Sequence, residues 1–124
     1  MIDLFAEISE ECRLAIPAAH HRGIAVIGAG GIVEGAHLPA YARAGLPIMG
    51  ITDLDAARAQ RVAEAFGIPR VYGSVEHLLA DPAVEVVDIA VPAAAQPAIF
   101  RAAIAAGKHV LAQKPFALDP ETAV

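Results

Sequence analysis

The residues best placed to do chemistry are the glycines of Gly28-Ala29-Gly30-Gly31-Ile32-Val33 and the carboxylate of Asp53. The glycines follow a short apolar run, Gly23-Ile24-Ala25-Val26-Ile27, and open a stretch with helical spacing. A strand that turns at glycine into a helix aims that helix's free N–H groups and positive dipole end at whatever lies in the turn. Gly28 would make the turn. Gly30 would let the backbone lie against a pyrophosphate with no Cβ between them, and Gly31 and Ile32 would begin the helix. Val33 stands at the third position of the G-x-G-x-x-G/A fingerprint, where it should push the helix off the strand, with Gly35 relieving the crowding. Asp53 lies roughly 20 residues further on, at the end of a second apolar run, where an acid accepts both ribose hydroxyls of an adenosine. Glycine pairs also serve plain structural turns, and either Asp53 or Asp55 could simply cap the next helix. Strand, glycine turn, helix, strand and acid in this order favour a dinucleotide. The same acid would repel a 2′-phosphate, and Leu54 beside it offers no counter-charge, so NAD is favoured over NADP. Arg58, one turn into the following helix, is the residue that could reverse that preference.

The elements that must position these groups alternate along the chain. The run ending at Ile27 is a strand buried on both faces. Residues 31 to 44 read as a helix closed by Gly45, and Ile48-Met49-Gly50-Ile51-Thr52 as a second strand. Residues 55 to 66 form a helix with Ala56, Ala59, Val62, Ala63 and Phe66 inward, ended by Gly67. Arg70-Val71-Tyr72 is a brief third strand, and Ser74 caps a short helix through Ala80. Val86 to Ala90 is a fourth strand, 97 to 106 a helix stopped by Gly107, and His109 to Ala112 a fifth strand. Asp119-Pro120-Glu121 is a helix start. This rhythm implies right-handed crossovers and an α/β fold, a doubly wound parallel sheet of Rossmann type with strand order 3-2-1-4-5. Residues 1–22 stand apart as a helical extension, with Leu4, Ile8, Cys12 and Ala15 at helical spacing before Pro17, and 23–124 form the dinucleotide-binding domain. The chain stops a few residues into its last helix, and the sequence is expected to be cut there.

Composition narrows the function classes. With 124 residues there is room for one core, and the 56% hydrophobic content is mostly an excess of alanine, which suits tight helix packing. No apolar stretch approaches the roughly 20 residues that cross a bilayer, and the acidic N-terminus is unlike a signal peptide. The net charge is −5 and the arginines are scattered, so no nucleic-acid partner is expected. One cysteine, Cys12, fits a reducing cytoplasm. His20, His21, His77 and His109 lack metal-ligand spacing, and no metal is expected. His37 reads as a residue packed beside the cofactor site.

The second half closes with Gly107-Lys108-His109-Val110-Leu111-Ala112-Gln113-Lys114-Pro115-Phe116-Ala117, which closely resembles the A-G-K-H-V-L-x-E-K-P-x-A signature of the Gfo/Idh/MocA (glucose-fructose oxidoreductase / inositol dehydrogenase) family. The glycine turn with Ala36-His37-Leu38-Pro39 carries the other end of the likeness, which spans residues 23 to 124. The resemblance implies NAD(P)-dependent oxidation or reduction of sugars, cyclitols and related polyols, and a second α/β domain C-terminal to this one. It implies further that Lys114 lies near the nicotinamide and the reacting hydroxyl. A cation there can orient the substrate oxygen and help stabilise an alkoxide as hydride leaves its carbon. Val91 and Pro92 would border the nicotinamide ribose, and Gln96 and Gln113 would line the same end of the crevice. Two departures stand out. Gln113 replaces the acid of E-K-P, and residues 93–96, where many relatives carry a histidine, hold three alanines and Gln96. Pro115 is a candidate for a cis bond. The general base is expected from the second domain, so this chain alone should bind cofactor without turnover, and the full-length protein is expected to be a homo-oligomer.

Two other classes compete. A non-catalytic NAD-binding sensor would use the same fold without needing a cation at position 114. A methyltransferase would place an acid inside the first strand, and Ala25-Val26-Ile27 supplies none.

Overall fold

The computed structural model describes residues 16–124, so the helix expected over Leu4 to Ala15 lies outside the described residues. Four strands form one parallel sheet: β1 (Ile24–Ile27), β2 (Ile48–Thr52), β3 (Val86–Ile89) and β4 (His109–Ala112), in the order β2-β1-β3-β4. The third strand expected at Arg70-Val71-Tyr72 is reduced to a single bridge, Ile51 to Val71, on the outer side of β2. Two hydrogen bonds, Ile51 N–H to the Arg70 carbonyl and Tyr72 N–H to the Ile51 carbonyl, are all that fit before the chain turns away. With that bridge counted as a strand, the order is the expected 3-2-1-4-5.

The alternation of side chains along β1 divides the core in two. Ala25 and Ile27, with Val87 and Ile89 of β3, pack against Leu78 and Leu79 of α3 (Val75–Ala80) and Ala103 of α4 (Gln96–Ala105). Val26 points to the opposite face, with Val33, Leu38 of α1 (Leu38–Ala44), Ile51, and Val62 and Ala63 of α2 (Ala56–Phe66). All four β1 residues are buried, as a central parallel strand requires. Each large apolar side chain so enclosed stabilises the fold by about 1.5–3 kcal/mol.

The stripe on α2 is narrower than its sequence suggests. Ala59, Val62 and Ala63 are buried, whereas Ala56 is exposed. Phe66, in the last turn, lines a shallow apolar recess with Leu38, Ala42, Leu46, Ile48 and Ile68. Asp55 caps α2, its carboxylate accepting from the Arg58 amide at 3.0 Å, and Ser74 caps α3 through the His77 amide at 3.1 Å. The helix start expected at Asp119 is a capped turn, with Thr122 N–H donating to the carboxylate at 2.8 Å.

The helix after the glycine turn departs most from expectation. Between Gly31 and α1 the backbone forms a π-helical turn, Val33–His37. Val33 is wholly buried against the core that Val26 and Ile51 build. The bulky third fingerprint residue is thus the first residue of this widened turn. Gly35 relieves no crowding there, because it is exposed and a Cβ on it would meet nothing within 4 Å.

Candidate functional site

The glycine turn lies at the carboxyl end of the sheet, where β1 stands between β2 and β3. Gly28 has φ +102°, and a Cβ on it would come within 2.3 Å of the Ala90 carbonyl oxygen and 3.4 Å of Val91 Cγ1. Both its handedness and its closeness to β3 exclude other residues. Gly30 and Gly31 are different: a Cβ on either would find nothing within 4 Å, so the surface above them is open. The Gly28 amide donates to the Thr52 carbonyl at 2.8 Å, and the Val33 and Glu34 amides both donate to the Gly30 carbonyl. Val33 therefore has no N–H to offer. The amides of Gly30, Gly31 and Ile32 have no acceptor among the described residues, and they begin a helix.

Asp53 flanks the glycine turn on the β2 side. One carboxylate oxygen accepts from the Ala29 amide at 2.7 Å; the other accepts from the Asp55 amide at 2.7 Å and from the Arg58 guanidinium at 2.9 Å. Its side chain is only 9% exposed. Burial by itself would push the carboxyl up, but the Ala29 and Asp55 amides and the Arg58 cation outweigh it and hold the group below the usual carboxylate range. Asp53 is thus an ionised acceptor tied to the glycine turn, while capping of α2 falls to Asp55. Leu54 next to it is fully exposed, and Ile32 is half exposed. The exposed ion pair between Arg61 and Glu34, with two contacts at 2.7 and 3.1 Å, links α2 to the π turn.

On the β3 side of the glycine turn, Val91 is half-buried beside Gly28, and Pro92 is exposed. Lys114 is exposed just beyond β4, and the Lys114–Pro115 peptide is cis. Gln96 is 1% exposed and donates its amide to the Gln113 carbonyl at 2.6 Å and the Pro115 carbonyl at 2.7 Å. It therefore holds the strand end from beneath and does not face the crevice, a correction to its expected role. The reason is local: Gln96 opens α4, whose first turn packs under the segment that follows β4.

Gln113 faces inward as well as along the chain. Its Oε1 accepts from the Lys114 amide at 2.7 Å, and its Nε2 lies 3.0 Å from His37 Nε2. The other ring nitrogen of His37 lies 2.7 Å from Asp88 Oδ2, and the Tyr41 hydroxyl donates to that same oxygen at 2.7 Å. Burial, together with the carboxylate beside it, holds the Tyr41 hydroxyl protonated well above the ordinary phenol range. Asp88 and Tyr41 are not among the sequence-expected site residues, and His37 is expected there only to pack beside the cofactor site. The signal was present: a carboxylate inside the apolar strand Val86-Val87-Asp88-Ile89, and two polar aromatic residues four apart on one helix. Since Val87 and Ile89 face α3 and α4, Asp88 must face the other side of the sheet, toward His37 and Tyr41.

Among the described residues no group of three or more His, Cys, Asp or Glu side chains could hold a metal ion, and no helix is long and apolar enough to cross a membrane.

Comparison with known proteins identifies the family. The family described as "Oxidoreductase family, NAD-binding Rossmann fold" (Gfo/Idh/MocA) matches residues 22–124. D-xylose 1-dehydrogenase (NADP(+)) 2 of Haloferax volcanii is 39% identical over 90 residues, covering 73% of this chain and 28% of that protein. The structure of UDP-N-acetylglucosamine 3-dehydrogenase from Acidithiobacillus ferrooxidans superposes with a TM-score of 0.74 at 38% identity, over 83% of this chain and 32% of its own. GenD2 from gentamicin A biosynthesis, solved in complex with NAD, superposes with a TM-score of 0.79 at 32% identity, over 89% of this chain and 31% of its own. The chain therefore spans about a third or less of the length of these relatives. By its sheet, its glycine turn and the match over residues 22–124, the chain belongs to the Gfo/Idh/MocA family of oxidoreductases and carries that family's NAD(P)-binding Rossmann domain.

Proposed function

We propose that this chain is the coenzyme-holding part of a dehydrogenase that moves hydride between a nicotinamide coenzyme and a sugar, cyclitol or related polyol. The observation that carries this is the Asp53 carboxylate, bonded at 2.7 Å to the Ala29 amide beside the open ground above Gly30 and Gly31. The residues present fit a dinucleotide. A diphosphate over Gly30 meets the free amides of Gly30, Gly31 and Ile32 and the positive end of the helix. Asp53, already ionised, accepts from the ribose hydroxyls. Leu54 and Ile32 offer apolar surface to the adenine side, and Val91 and Pro92 border the nicotinamide side.

When bound, the nicotinamide supplies the hydride acceptor or donor. Lys114 is the catalytic residue that this chain supplies: its exposed ammonium orients the substrate oxygen and stabilises negative charge that develops there. The proton is taken by a base on a second domain, so residues 1–124 alone bind coenzyme and turn nothing over. NAD is preferred to NADP. The charge of Asp53 repels a 2′-phosphate, and Arg58, the cation that would welcome one, is engaged with Asp53 itself. Relatives differ here: the Haloferax enzyme is named for NADP, and the gentamicin enzyme was solved with NAD.

In the full-length protein, Lys114→Ala should abolish turnover and leave NAD affinity intact. Loss of both together, or of neither, would favour a non-catalytic NAD-binding sensor.

A further inference from the structure

We propose that Asp88, His37 and Gln113 form a one-way hydrogen-bond relay that positions Lys114, with Gln113, the departure from the E-K-P signature, fixing its direction. The inference rests on the assignment of Lys114 to the reacting hydroxyl.

The two ends of the relay leave no choice of polarity. The Lys114 backbone N–H can only donate, so the Gln113 atom 2.7 Å from it is the amide oxygen, and the Gln113 NH₂ faces His37. The Asp88 carboxylate, at the other end, accepts from the Tyr41 hydroxyl and is 2.7 Å from His37 Nδ1, which therefore donates. His37 Nε2 is left as an acceptor, and at 3.0 Å it takes the Gln113 N–H. Every donor in the series meets an acceptor. Turning the Gln113 amide over would set NH₂ against the Lys114 N–H and oxygen against the ring's lone pair.

Three elements are joined by these bonds: β3 through Asp88, the π turn that ends at His37, and the strand end that carries Lys114. Gln96 grips the same strand end from the opposite side through the Gln113 and Pro115 carbonyls. Lys114 is thus an exposed side chain on a backbone fixed from two directions. Asp88 is 0% exposed, and its second oxygen has no partner among the described residues. A valine there would suit the apolar strand better, since an unmatched buried carboxylate oxygen costs the fold free energy. The ring that it orients accounts for a carboxylate at this position. A glutamate at 113 would abolish this arrangement, because a carboxylate has no N–H for the ring and would set a second anion against it.

The chain without coenzyme tests the relay through the His37 ring nitrogens, read by long-range ¹H–¹⁵N NMR at neutral pH. Nδ1 should carry the proton and Nε2 should be bare. In Gln113→Glu the Nε2 resonance should move, because the N–H that it accepts is gone. In His37→Phe the Lys114 amide resonance should move, although residue 37 does not touch it. In the full-length enzyme the same variant should lower kcat by about tenfold or more, as misplacement of a reacting group does. A proton on Nε2 in the unmodified chain, or an unmoved Lys114 amide in His37→Phe, would overturn the relay. So would unchanged kcat in His37→Phe. If Lys114→Ala itself leaves turnover intact, the assignment of Lys114 fails instead, whatever the ring nitrogens show. Should His37→Phe not fold, the ring spectra of the unmodified chain and of Gln113→Glu decide the matter alone.

Discussion

Gly28 and Gly30 are two residues apart in one turn, and alanine at each should have opposite consequences. At Gly28 an added methyl group meets two obstacles. The backbone has φ +102°, which in a non-glycine residue costs on the order of 1–3 kcal/mol. The Cβ would also lie 2.3 Å from the Ala90 carbonyl oxygen. The ends of β1 and β3 would have to part, and such overpacking typically costs about 1–3 kcal/mol. Gly28→Ala should therefore destabilise the fold by about 2–6 kcal/mol, a large share of the roughly 5–15 kcal/mol that holds a domain together. In a urea titration, where the slope for a small protein is about 1–3 kcal/mol per molar, the midpoint should fall by at least ~0.7 M. At Gly30 neither obstacle exists: φ is not positive and no atom lies within 4 Å of the new methyl group. Stability should stay within about 1 kcal/mol of the parent and can rise, because alanine restricts the unfolded chain. The methyl group would stand where a diphosphate must lie, so NAD⁺ affinity should drop about tenfold or more, which is 1.4 kcal/mol. Equal destabilisation by the two substitutions, or Gly30→Ala with unchanged affinity, would refute the assignment of one glycine to the fold and the other to the ligand.

Two further perturbations probe the hydrogen bonds that tie down the β2 and β4 ends. Because Asp53 is held below its ordinary range in the folded chain, its contribution is complete above the unfolded carboxylate value near 4 and is lost as pH falls toward the lower folded value. Asp53→Asn should cost about 1–3 kcal/mol at pH 7 and progressively less below about pH 4, measured by urea unfolding across that range; a pH-independent difference would contradict it. Gln96→Leu strips two carbonyls of their donor and should cost about 2–3 kcal/mol, with faster hydrogen exchange at the Lys114 amide; unaltered exchange would show that Gln96 does not hold the strand end.

How much of this was legible depended on how local the signal is. Gly28 and Asp53 were readable because a sharp strand-to-helix turn and an acid closing the next strand are set by neighbours in sequence. The widened turn at Val33–His37 was not, because nothing in the residue spacing distinguishes it from an ordinary helical turn. Arg70-Val71-Tyr72 has strand-forming residues, yet only one pairs with β2, since strand length is decided by where the chain leaves the sheet. Gln96 was placed in the right neighbourhood but with the wrong orientation, which follows from how α4 sits under the strand end. Asp88 went unnoticed because its partners, His37 and Tyr41, lie about 50 residues away in sequence and meet it only across the sheet face.

The proposed dinucleotide cradle joins the amides after β1 to the carboxylate closing β2. Titrating the folded chain with NAD⁺ while recording backbone ¹H–¹⁵N spectra tests it most directly. The amides of Ala29 to Ile32, with those of Asp53 and Leu54, should shift together and saturate, while β4's His109 stays in place. No movement of these amides at millimolar NAD⁺, or shifts confined to a different face of the sheet, would contradict it.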